Sequence, residues 1–166
     1  AVRRPDLVRA VIAHEFPWRF TRHVPSRSQI VALAKIALFA LRGREGDAVE
    51  ALLHSAYTYR DGSTAWDTFP EEWRRAGRDN ASPALADFRN SIGVHPSPTD
   101  LATIQVPVVC SYGSRGPDSM VRLVRSLAAA IPTGTLHRIE GAGHAAPFDA
   151  TGQFVQLITD AVTSGD

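Results

Sequence analysis

Apolar and polar positions change their spacing several times along the chain. Residues 7–15, LVRAVIAHE, form a mostly apolar run rich in Val, Ile and Ala behind the turn-like RRPD, which predicts a largely buried strand. Residues 16–28, FPWRFTRHVPSRS, hold two prolines among polar side chains and predict a loop. Helical spacing then takes over, with an apolar helix over 29–42, a more amphipathic one over 45–60, a charged one over 69–78 and another over 83–92. Gly43, Gly46, Gly62 and Pro83 punctuate this block. A proline-bearing connector follows at 93–105, and VPVVCSYG (106–113) predicts a second buried strand. A helix is expected over 119–131, a third short strand over 134–141 and a closing helix over 152–162. The sequence contains no internal repeat and no low-complexity segment.

The order is therefore strand, helical block, strand, helix, strand, helix. Strands separated by helices imply an α/β fold with a mostly parallel sheet covered on both faces. The block from 24 to 99 is too long for a single crossover and reads as an inserted helical cap, leaving 1–23 and 100–166 as the core.

Composition narrows the class. A chain of 166 residues, 44% of them hydrophobic, suffices for a single-domain core. Eighteen basic residues against 17 acidic ones, a formal charge of +1 with the arginines scattered, do not predict a nucleic-acid or anionic-membrane partner. The single cysteine, Cys110, excludes an internal disulfide and sits in a strand-like setting where it serves as a small hydrophobe, so the cytoplasm is the expected compartment. The longest apolar stretch, QIVALAKIALFAL (29–41), is interrupted by Lys35 and is too short to span a bilayer, so a packed helix is expected. No signal-peptide pattern is visible in AVRRPDLVRAV.

The candidate chemistry lies in IEGAGHAAPFD (139–149). Small residues and the flanking Gly141 and Gly143 suit a tight loop that projects the His144 imidazole into a cleft, although a lone histidine in such a run is equally compatible with a surface turn. Context decides for the first reading. The stretch IQVPVVCSYGSRGPDSMVRLVRSLAAAIPTGTLHRIEGAGHAAPFDATGQFVQLITDAV resembles the C-terminal part of α/β-hydrolases, in which a strand opening with VPV ends at a glycine, a helix and an IP turn follow, and a last strand delivers GAGH. RRPDLVRAVIAHE is similar to the strand directly after that family's nucleophile helix. The resemblance covers nearly the whole chain. It implies the C-terminal part of an α/β-hydrolase sheet, about three parallel strands with flanking helices, and makes His144 the catalytic base.

The same resemblance exposes departures. The family's nucleophile sits on a G-x-S-x-G turn upstream of the segment matching Ala1, and no such frame occurs here; the nearest, GPDSM around Asp118, has Met120 in place of the second glycine. The common acid position, G-x-x-D after the penultimate strand, reads GSRG and places Gly116 where the acid is expected. Some members, dehalogenase-like ones included, carry the acid at the end of the strand after the elbow strand, which makes Glu15 the first choice and Asp118 the alternative. Asp118 also suits a helix N-cap. Strand alternation sends His14 to the face opposite Glu15, in a structural role. His23, His54, His95 and His137 have no mutual ligand spacing and HExxH is absent, so neither metal nor cofactor is expected. Trp18 and Phe20, following the acid, are candidates for the substrate pocket, while most other aromatics suit ordinary core.

What the resemblance implies is ester-type hydrolysis of a small apolar substrate through a nucleophile–His–acid triad whose nucleophile lies in a missing N-terminal half. The expected partner is that half as a second polypeptide, or a second copy paired through the open strand edge, and the chain alone is expected to be inactive. Two alternatives stay open: a dehalogenase or epoxide hydrolase with an Asp nucleophile, and a non-catalytic ligand-binding homologue.

Overall fold

The computed structural model describes residues 1–18, 27–91 and 96–163. They fall into two compact units, one formed by Ala1–Phe20 with His95–Asp166, the other by Thr21–Val94.

The first unit is built on three parallel strands, β1 (Val11–His14), β2 (Val108–Gly113) and β3 (Gly134–Ile139), in the order β1-β2-β3. Register is set by Val11 opposite Val108 and Val108 opposite Gly134. With a neighbour on each side, β2 is the best-buried strand, and its alternation feeds two separate cores. Val108, Cys110 and Tyr112 pack with Trp18, Leu101, Ile104, Val124 and Leu127. Val109, joined by Ile12, packs on the other face with Ile139, Ala142, Ala146, Phe154 and Leu157. Helix α6 (Asp118–Ala129) supplies the first face and α8 (Thr151–Thr163) the second.

Two short helices lie where the sequence predicts only connector or loop. One (α5, Pro98–Ala102) is held by a capping box in which Ser97 and Asp100 satisfy each other's end of the helix. The other (α7, Ala146–Asp149) follows directly on the His144 loop and has Pro147 at its start, where a missing N–H costs nothing. The first strand is shorter than 7–15, because Pro5–Leu7 form a 3-10 turn and the extended run stops at His14.

The second unit contains α1 (Arg27–Leu41), α2 (Glu45–Ala56), α3 (Glu71–Asp79) and α4 (Ala81–Ser91) around Ile36, Ala48, Val49, Ala81 and Leu85. Beside them Tyr57, Trp66, Phe69 and Trp73 meet ring to ring, with Tyr57 and Phe69 edge-on at 5.1 Å. The 29–41 run lies in helix α1, which packs into the core of this unit through Ile36, Phe39 and Ala40. Helix α1 is apolar around most of its circumference, and its partners within the unit leave Ile30, Val31, Leu33, Leu38 and Leu41 exposed. No helix among the described residues is long and apolar enough to cross a membrane.

Candidate active site

The sheet brings Glu15 to His144. The chain leaves β1 at His14, and Glu15 adopts a left-handed backbone with φ of 44°, the only non-glycine residue to do so among those described. Such a conformation costs on the order of 1 kcal/mol and is held by its surroundings. The Glu15 N–H donates to the Ser111 carbonyl at 2.8 Å, which keeps the residue on the sheet. Its side chain turns inward and is 2% exposed. One carboxylate oxygen, Oε1, accepts the Gly113 N–H at 3.1 Å, and the other, Oε2, lies 3.3 Å from His144 Nδ1. A buried carboxylate needs partners of this kind, since an isolated buried charge is strongly disfavoured.

His144 is the open member of the pair. Its Nδ1 is shielded from solvent while its side chain as a whole is 37% exposed, so the exposure falls on the rest of the side chain. With Nδ1 turned to the acid, Nε2 is the nitrogen left for proton transfer.

The loop carrying His144 is tied to its surroundings peptide by peptide. Gly141 has φ of +74°, which only glycine adopts readily, and its N–H donates to Ser114 Oγ at 2.8 Å. The Ala142 carbonyl accepts the Arg115 N–H at 2.8 Å. The Gly143 N–H donates to Asp149 Oδ2 at 2.9 Å. Gly113 is glycine for space, because a Cβ there would lie 2.1 Å from the Ala142 carbonyl oxygen. At Gly116, the position where the family pattern has its acid, a Cβ would lie 2.7 Å from Glu15 Oε1. The carboxylate from β1 thus occupies the space that a side chain from the β2 loop would otherwise fill.

His14 lies on the α8 side of the sheet with Ile12, as alternation predicts, and also reaches the His144 loop. Alternation puts successive side chains on opposite faces only while the strand continues, and it ends at His14, so the left-handed turn at Glu15 leaves both side chains near His144. His14 Nε2 lies 3.1 Å from the Gly143 carbonyl, its Nδ1 lies 3.1 Å from Ser111 Oγ, and its ring stacks on His144 at 6.3 Å. Burial pushes its pKa below the ordinary histidine value, opposed chiefly by the nearby Glu15 carboxylate. Ser111 and His14 have the look of a nucleophile and base, but Ser111 is 0% exposed and no substrate carbonyl can reach it. Cys110 is equally enclosed, and burial pushes its thiol up to about 11, which removes it as a nucleophile at neutral pH.

The remaining sequence candidates are placed differently. Asp118 is not a cap: Pro117 takes the N-cap position and Asp118 is the first residue of α6, where its charge suits the helix dipole. Trp18 is not at an open wall. It is buried in the core of its unit, and its indole N–H donates to the Pro96 carbonyl at 3.0 Å. Phe20, His23 and His95 lie outside the described residues. No group of three or more His, Cys, Asp or Glu among the described residues is arranged to hold a metal ion.

Asp149, Ser111 and the part played by His14 escaped sequence reasoning. Register pairing places His14 opposite Ser111, and only the sheet displays that pairing.

No family model matches the sequence, and no curated protein matches it either. Solved structures do. The chain is similar to the enol-lactonase from Burkholderia xenovorans LB400 (TM-score 0.65, 16% identity, 98% of this chain and 59% of that one). It is similar to MenH from S. aureus (TM-score 0.61, 17% identity, 95% and 60%). A serine hydrolase involved in carbazole degradation also matches (TM-score 0.61, 16% identity, 98% and 57%). The chain thus spans about 60% of the length of the solved structures it matches. Three parallel strands with flanking helices, together with these likenesses, give the chain the α/β-hydrolase fold over that span.

Proposed function

We propose that this chain supplies the base and acid of a hydrolase acting on small apolar esters, thioesters or lactones. The observation that carries the proposal is the contact between Glu15 Oε2 and His144 Nδ1 at 3.3 Å, made by a fully buried acid and a partly exposed base. In this role Glu15 fixes the tautomer with Nδ1–H and stabilises the imidazolium, while His144 Nε2 takes the nucleophile's proton and later activates water. The nucleophile belongs to a polypeptide segment outside these 166 residues, which also pairs with the outer edge of β1. The helical unit takes the part of the substrate-selecting cap. The enol-lactonase and the serine hydrolase among the similar structures support acyl chemistry as the class.

A second reading has one specific observation in its favour, the acid's place at the end of β1, which dehalogenase-like members share. It substitutes an Asp nucleophile and alkyl transfer. A single turnover in H₂¹⁸O separates the two, because a carboxylate nucleophile takes solvent oxygen into the protein and a serine does not.

The first test is intact mass under denaturing conditions of the protein from its native source, followed by assay on p-nitrophenyl esters and simple lactones. A species carrying an added G-x-S-x-G segment is expected, with turnover that falls by several orders of magnitude in His144→Ala. A single species of 18.0 kDa with no turnover and unchanged ligand affinity in His144→Ala would replace the enzyme with a binding protein.

A further inference from the structure

We propose that His14 is a positioning residue that clamps the peptide immediately before His144, held as a neutral imidazole with its proton on Nε2. The inference rests on His144 acting as the base, and it assigns to His14 a role beyond the nucleophile–base–acid set.

The hydrogen bonds define the tautomer. A carbonyl oxygen only accepts, so Nε2, 3.1 Å from the Gly143 carbonyl, carries the proton and donates. The Nδ1 atom, 3.1 Å from Ser111 Oγ, then accepts from the hydroxyl. Ser111 is fully buried on the central strand and sits in register opposite His14, so the clamp is anchored in the rigid part of the sheet.

Gly143 is gripped from both sides. Its carbonyl takes the His14 proton, and its N–H donates to Asp149 Oδ2 at 2.9 Å. Glycine at this position has no side chain to restrict its dihedrals, so without these two bonds the peptide that sets the direction of His144 is free to rotate. The cost of such freedom is misplacement of Nε2 from the reacting atoms, and a misplacement of about 1 Å is worth on the order of 10²-fold in rate.

Groups facing His14 explain why it stays neutral. Burial disfavours its charged form most strongly and His144 adds to this, and together they outweigh Glu15, the Gly143 carbonyl and Asp149, which favour the charged form, so the pKa stays below the ordinary value. An uncharged His14 beside His144 also leaves the imidazolium on His144 unopposed as it forms.

The test has two independent readouts on the complete hydrolase. Imidazole ¹⁵N NMR of the wild type is expected to find His14 neutral and protonated on Nε2 at pH 7. His14→Phe is expected to lower kcat by about 10²-fold with KM unchanged, and His14→Gln, whose amide can donate to Gly143 and accept from Ser111, is expected to recover most of that loss. A His14 that is charged, or protonated on Nδ1, overturns the proposal without any variant and whether or not His14→Phe folds. It is equally overturned if kcat is unchanged in His14→Phe, or if His14→Gln is no better than His14→Phe, while His144→Ala is inactive. If instead His144→Ala turns over at the wild-type rate, the assignment of the base falls, and the NMR readout still decides the state of His14.

Discussion

Two strand ends face His144, and they contribute opposite things. β1 ends in a strained backbone that swings the Glu15 carboxylate inward, while β2 ends in Gly113 and, three residues on, Gly116, which offer an N–H donor and room for that carboxylate. A Cβ at Gly116 would touch Glu15 Oε1, so only one of the two ends can carry a side chain into this volume. The acid beside a histidine of this kind is thus an allocation of space between neighbouring strand ends. A missing acid on one strand is informative only together with what the next strand sends into the gap.

The largest expected effect breaks that comparison outright. In the complete hydrolase, Glu15→Gln removes the acid's charge with little change of shape, and turnover should fall by roughly 10³- to 10⁴-fold. The sharper version moves the acid: Glu15→Ala with Gly116→Asp should recover part of the activity that Glu15→Ala alone loses. Steady-state kinetics on the same ester reads both, and equal activity in the single and double variants would mean that the β2 end cannot host the acid.

The two glycines should respond differently to a methyl group. At Gly113 the Cβ meets backbone, the Ala142 carbonyl oxygen at 2.1 Å, and neither side can yield, so Gly113→Ala should cost about 3 kcal/mol or more in urea unfolding. At Gly116 the contact is the end of the Glu15 side chain at 2.7 Å, which can shift, so Gly116→Ala should cost only about 1 kcal/mol. If Glu15 orients His144 as proposed, the damage should appear in kcat, because the carboxylate that shifts is the one 3.3 Å from His144 Nδ1. Equal stability losses in the two variants would contradict this contrast.

The smallest effect concerns pH. His14 has a folded pKa below its unfolded value of about 6.5, so the unfolded chain binds the extra proton first as pH falls. Its contribution to stability is complete above that unfolded value and is lost progressively down to the folded one, with a slope of at most about 1.4 kcal/mol per pH unit. Urea midpoints between pH 7.5 and pH 5 should show this loss in the wild type and less of it in His14→Gln. An identical slope in the two proteins would place the pH dependence elsewhere.

Much of the architecture is legible in the amino-acid sequence. Each of the three strands was expected within a few residues of where it lies, because runs such as VPVVC combine β-branched side chains with flanking turn residues. The short helices at 98–102 and 146–149 were not, since one turn of helix has no periodicity to detect and depends on local caps. The sequence singles out His144 by the small residues around it and Glu15 by its place at a strand end, and the two side chains meet at 3.3 Å. Alternation gives the face of His14, which meets Phe154 on the side of Ile12, but not its reach to the His144 loop, and Asp149 has a backbone N–H for its partner, which leaves no mark on the pattern of side chains.

The order of elements, the α/β class and the residues chemically able to act as base and acid follow from local spacing, turn chemistry and residue type. It took the folded sheet to bring Glu15 to His144, to set Gly116 against the Glu15 carboxylate and to put His14 against the Gly143 carbonyl. Those outcomes depend on parallel strand register and on a left-handed turn at one residue, which bring together groups far apart in the chain and are set by packing across the sheet.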